Sequence, residues 1–143
     1  MKVSKLLVPV VGHGTDEEAI QIACSVGRRH KARIYVIYVI EVKRNLPLDA
    51  ELEQEQERGE KVLDKAEQVA EALDSTVETE LLQAREVGPA IVDEAIERGV
   101  DAIVMGLPYK RRFGEFTLGS TVSHVLKNAP CSVWVVRDTI SNG

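Results

Sequence analysis

Residues 5–11 form an almost unbroken apolar run, Lys-Leu-Leu-Val-Pro-Val-Val, the pattern of a strand covered on both faces. Thr15 followed by Glu18 predicts a capping box. Behind it Ala19, Ile20, Ala23, Val26 and Gly27 recur at helical spacing to about residue 29. Residues 32–40, rich in Ile, Val and Tyr, read as a second buried strand. A polar stretch with Pro47 leads to a long helix over 49–73, whose apolar stripe is Leu52, Val62, Leu63, Ala66, Val69, Ala70 and Leu73. The alternation then repeats. Residues 76–83 read as a strand, and Gly88-Pro89 opens a helix with proline at its first position, carrying Ile91, Val92, Ala95 and Ile96 and stopping at Gly99. A short buried strand at 101–106, a loop over 107–118, a helix over 119–127 broken by Pro130, and a last strand at 132–136 complete the pattern.

Strands alternating with helices in this way predict an α/β fold, a parallel sheet with helices on both faces. No shift of composition marks a linker, so one domain is expected over 1–138, with 139–143 as a short flexible tail. The 143 residues carry 18 Lys and Arg against 23 Asp and Glu, a net charge of −5, and 44% of them are hydrophobic. Such a balance describes a globular chain and excludes a general nucleic-acid binder, which needs cations in excess on one face. No apolar run nears the roughly 20 residues of a membrane span, and the N-terminal apolar stretch is short for a secretory leader. A cytoplasmic setting without membrane insertion is therefore expected. Cys24 and Cys131 lack CxxC spacing and read as small buried hydrophobes. His13, His30 and His124 show no ligand spacing, so no metal site is assigned. The acidic run Asp49, Glu51, Glu53, Glu55, Glu57 and Glu60 suits the start of a helix with a solvated face.

In open parallel sheets ligands bind beyond the carboxyl ends of the strands, where strand order reverses. With the first and fourth strands side by side, the candidate site is built from residues 9–14 and 106–121. The first of these loops is a poor phosphate cradle. Gly12-His13-Gly14 offers two glycines of a GxGxxG, but position 17 is Glu, and Asp16, Glu17 and Glu18 crowd the first helical turn. No GxxxxGK[ST] occurs. The second loop is better: Gly119-Ser120-Thr121 puts free N–H groups and hydroxyls at a helix start without an acid, preceded by Lys110, Arg111 and Arg112. Two readings stay open, a phosphate site and an ordinary N-cap beside a solvated basic loop.

The segment Met105-Gly106-Leu107-Pro108-Tyr109, followed after nine residues by Gly119-Ser120-Thr121-Val122, resembles the Gly-x2-Gly-x9-Gly-[Ser/Thr] signature of ATP-binding universal stress proteins. The ending, residues 125–136, the opening Leu6-Leu7-Val8-Pro9-Val10 and the strand end Tyr38-Val39-Ile40-Glu41 are similar to that family as well. The resemblance spans essentially the whole chain. It implies a three-layer, five-stranded parallel sheet of order 3-2-1-4-5 with helices on both faces, the adenine nucleotide α-hydrolase-like arrangement. It also implies a cytoplasmic regulatory protein binding ATP or another adenine nucleotide, with magnesium accompanying it, at the ends of strands 1 and 4. On the family pattern Pro9, Val39, Met105 and Gly106 line the nucleoside end, while Arg111, Arg112, Gly119, Ser120 and Thr121 face the phosphates. This chain departs at Val11, where the family usually has an Asp, and at Tyr109, which replaces the second glycine. These departures leave a second reading, a nucleotide-independent interaction module in which residues 110–116, with Phe113 and Phe116, meet a protein partner. No nucleophile–base pair is evident, so an enzyme is not expected beyond slow ATP hydrolysis. The resemblance implies a homodimer pairing Val133, Trp134 and Val135 of the last strand across its axis. The alternative is a Trp134 packed within its own domain.

Overall fold

The computed structural model describes residues 2–107, 111–112, 115–116 and 118–139, those at 111–112 and 115–116 by their backbone alone. Its elements follow in the order β1 (Lys5–Pro9), α1 (Thr15–His30), β2 (Arg33–Glu41), α2 (Glu53–Ala72), β3 (Glu78–Ala84), α3 (Val87–Arg98), β4 (Ala102–Leu107), β5 (Arg111–Arg112), β6 (Glu115–Phe116), α4 (Ser120–Asn128) and β7 (Ser132–Arg137). The main sheet runs β3-β2-β1-β4-β7 with every pair parallel, the expected 3-2-1-4-5 order. Residues 140–143 of the expected tail lie outside the described residues.

Each central strand sends alternate side chains to opposite faces, and this builds two cores. Leu6 and Val8 of β1 and Val36 of β2 pack with Ala19, Ile20, Ala23 and Cys24 of α1 and with Leu63, Ala66 and Ala70 of α2. On the other face Leu7, Ile37, Ile103 and Met105 pack with Ile91, Val92 and Ala95 of α3 and with Val122 and Val125 of α4. Helices cover both faces, as the double-sided apolar strands require. Asp101 ties the strand starts together: its Oδ2 accepts from the N–H of Ser4 at 2.6 Å and of Lys5 at 3.0 Å. These backbone donors hold its carboxyl below the usual carboxylate range.

Several local expectations fail for physical reasons. No side chain caps α1, because Thr15 sits wholly buried with its Oγ1 2.9 Å from His13 Nδ1. The helix α2 begins at Glu53 rather than near 49, since Leu46 N–H donates to Lys43 and Ala50 N–H to Pro47, bonds that fold this stretch into turns. Pro89 is the third residue of α3, where its missing N–H still removes no helical bond. Strand pairing of β1 stops at Pro9, and Val11 is 53% exposed. The expected loop 107–118 contains the short antiparallel pair β5–β6. Cys24 is buried as expected, whereas Cys131 is only half-buried, and burial pushes both thiols up.

Candidate functional site

The strand β1 leads through α1 to β2 on one side, and its other neighbour is β4, which leads to β7 at the far edge. At this reversal the carboxyl ends of β1 and β4 open a cavity of about 250 Å³. Six of the expected residues line it: Pro9, Val11, Val39, Met105, Gly106 and Thr121. Val10, His13 and Leu107, within the expected loops, also line it, whereas Asp16, Tyr38, Val87, Ile91 and Val122, which complete the wall, lie outside the expected loops. The apolar ones could have been found from their helical and strand spacing; nothing local marks which of them face the cavity.

The edge of β2 supplies polar groups. Pairing between β1 and β2 ends at Pro9 opposite Ile37, and Val10 N–H still donates to Ile37 O at 2.9 Å. In a parallel ladder, residues two apart point their backbone groups to the same neighbour. The peptide groups of Val39 therefore face the side that β1 has left, into the cavity. A backbone donor and acceptor between Tyr38, Met105 and Ile91 suit the edge of a flat heteroaromatic ring.

The β1–α1 loop is closed by its own acid. Asp16 Oδ2 accepts from Gly12 N–H at 2.6 Å and from His13 N–H at 3.2 Å, and its Oδ1 accepts from Val11 N–H at 3.1 Å. Gly12 adopts φ +98 to make this turn, a left-handed geometry that favours glycine. The loop donors that could have cradled a phosphate are thus engaged by a built-in carboxylate.

Gly106 and Gly119 serve different ends. A Cβ on Gly106 would stand 2.6 Å from Thr15 O and 2.8 Å from Thr15 Cβ, so this glycine lets the first turn of α1 lie on β4. Gly119 caps α4 at φ +81 and ψ 159, a conformation essentially restricted to glycine, and nothing lies within 4 Å of its Cβ position. It turns the first N–H groups of α4 outward beside Ser120 and Thr121, with no acid in that turn. Ser120 and Thr121 also line a neighbouring hollow of about 280 Å³ with Glu41, Glu86 and His124.

Tyr109 and Lys110 lie outside the described residues, as does Phe113; of Arg111, Arg112 and Phe116 the structure gives the strand backbone alone. Val133, Trp134 and Val135 lie on β7, an outer strand that among the described residues pairs with β4 alone. Trp134 packs against the α1–α2 core, Val133 and Val135 against the α3–α4 core, and all stay half-buried. Among the described residues no three His, Cys, Asp or Glu gather to hold a metal ion, and no helix is long and apolar enough to cross a membrane.

The chain matches the Universal stress protein family over residues 2–137. It is 32% identical over 139 residues to a universal stress protein of Methanocaldococcus jannaschii, covering 93% of this chain and 81% of that one. A universal stress protein from Archaeoglobus fulgidus superposes with a TM-score of 0.80 at 21% identity, over 93% of this chain and 98% of that chain. The structure of the universal stress protein from Archaeoglobus fulgidus in complex with dAMP gives 0.76 at 22% identity, over 95% and 99%. The sheet order, the strand-end cavity and these similarities agree: the chain belongs to the universal stress protein family.

Proposed function

We propose that the protein is a cytoplasmic regulator that binds an adenine nucleotide in the cavity between the carboxyl ends of β1 and β4. The carrying observation is the cavity itself, which gathers Pro9, Val39, Met105, Gly106 and Thr121 around an unpaired β2 edge. The base would lie against Met105 and Ile91 with its edge on the Val39 peptide. The phosphates would extend towards the Gly119 cap and the hydroxyls of Ser120 and Thr121, with Tyr109, Arg111 and Arg112 preceding them in the chain. A related fold in complex with dAMP supports this class of ligand. Magnesium would come with the phosphates. The protein acts through binding; two free thiols fit a reducing compartment. A homodimer joined along β7 would cover the apolar edge of Val133, Trp134 and Val135. Mass spectrometry of ligand released by heating the natively purified protein tests the reading. An adenine nucleotide near stoichiometry is expected, and a ligand-free protein that gives no heat with millimolar ATP or AMP would overturn it.

A second reading has its own observation. Val11 offers no hydrogen bond to a ribose, and Asp16 occupies the loop donors, which suits an interaction module that works without nucleotide. Partner binding unchanged by saturating ATP would favour it.

A further inference from the structure

A second cavity, of about 370 Å³, lies between α1 and α2, across the β1–α1 loop from the first. The two share Val10, His13 and Asp16 as a common wall. Buried Val10, Ile20 and Ala66 form its floor, and half-buried Val62 and Val69 flank it. Its rim is cationic: Arg58, Lys61 and Lys65 of α2 stand along it. At about 100° per residue these three fall within roughly 60° of helical arc, whereas Glu53, Glu57, Glu60, Asp64, Glu67 and Glu71 crowd an arc of about 80° elsewhere, and of the helix's acids Glu55 alone falls outside that arc, on the other side of Arg58. The helix therefore separates its charges rather than alternating them, and none of the three cations forms an ion pair among the described residues. On the facing helix Asp16 is engaged by loop N–H groups, which leaves Glu17 as the opposing free carboxylate on the wall.

An apolar floor beneath unpaired cations is complementary to a molecule with an apolar body and one anionic head. At about 30 Å³ per water-sized group, the cavity holds roughly twelve non-hydrogen atoms, the size of a ten-carbon carboxylate. We propose that this cavity binds a medium-chain carboxylate, its chain over Val10, Ile20 and Val69 and its head at Arg58, Lys61 and Lys65. The site does not depend on the nucleotide reading.

The test is an amide NMR titration of the full chain with decanoate and, separately, with decyltrimethylammonium, which carries the same chain and the opposite charge. Decanoate is expected to shift Val10, Ile20, Ala66 and Val69 and to bind at least about tenfold tighter than the cation. The exposed triple change Arg58→Gln, Lys61→Gln, Lys65→Gln should keep the melting temperature and lose about tenfold in decanoate affinity. Val69→Phe, which fills the cavity and leaves the charges, should abolish binding. Equal binding of the two amphiphiles, unchanged affinity in the triple variant, shifts centred on Met105 and Val122, or no shift at millimolar decanoate would each overturn the proposal.

Discussion

Replacing Gly106 by Ala tests how closely α1 is fastened to the strand that builds the site. The added Cβ would lie 2.6 Å from Thr15 O, 2.8 Å from Thr15 C and 2.8 Å from Thr15 Cβ, against a comfortable separation of about 3.5 Å or more. The opposing atoms belong mostly to the backbone, so no rotamer change relieves the contact; the first turn of α1 must retreat by close to 1 Å. That turn is poorly placed to move, because Thr15 is fully buried and bonded to His13, and Asp16 grips the loop behind it. Overpacking of this kind costs about 1–3 kcal/mol, and the upper half of that range is expected here. For a chain of this length the melting temperature should fall by roughly 6–12 °C. Thermal unfolding followed by circular dichroism or calorimetry reads it directly. A melting temperature within about 2 °C of the parent would refute the packing of α1 on β4 described above.

Gly119→Ala should destabilise by about 1–3 kcal/mol through its backbone alone, and should weaken nucleotide phosphate binding more than adenosine binding, as titration of AMP against adenosine would show. Val11→Asp returns a carboxylate to the cavity mouth; a charged hydrogen bond worth about 1.5–3 kcal/mol predicts roughly 10–150-fold tighter adenine nucleotide binding by calorimetry. Asp101 has a lowered pKa in the fold, so its contribution is present above about pH 4 and fades as pH falls through the folded value. Melting curves of the parent and Asp101→Asn should therefore differ between pH 5 and 7 and converge in strong acid, whereas a constant gap would contradict the two-amide clamp. Sedimentation at micromolar concentration should give twice the 15.8 kDa chain mass, and a monomer would argue that β7 needs no partner.

The layer order was legible because a parallel sheet buries both faces of its central strands, which turns β1, β2 and β4 into continuous apolar runs. Local chemistry was less legible where tertiary contacts decide it. Thr15 and Glu18 have the spacing of a capping box, yet burial of Thr15 under β4 takes its hydroxyl elsewhere. The start of α2 shifted because Arg85 Nη1 donates to Lys43 O at 2.6 Å and Leu46 O at 2.8 Å, and Gln83 Nε2 to Leu48 O at 2.9 Å. Residues far along the chain thus hold 43–50 in turns. Of the site, the strand-end residues follow from topology, and Gly119 from its place before a helix. The role of Gly106 in seating α1 and the capture of the loop donors by Asp16 depend on contacts that spacing does not encode.

The most direct test of the nucleotide site is an amide NMR titration of the parent chain with adenosine, with AMP and with ATP–magnesium. Saturable shifts centred on Val39, Met105, Gly106, Thr121 and Val122 are predicted, with Gly119 responding to the phosphorylated ligands and not to adenosine. Spectra unchanged at millimolar nucleotide, or shifts confined to other faces of the sheet, would contradict a nucleotide site at the ends of β1 and β4.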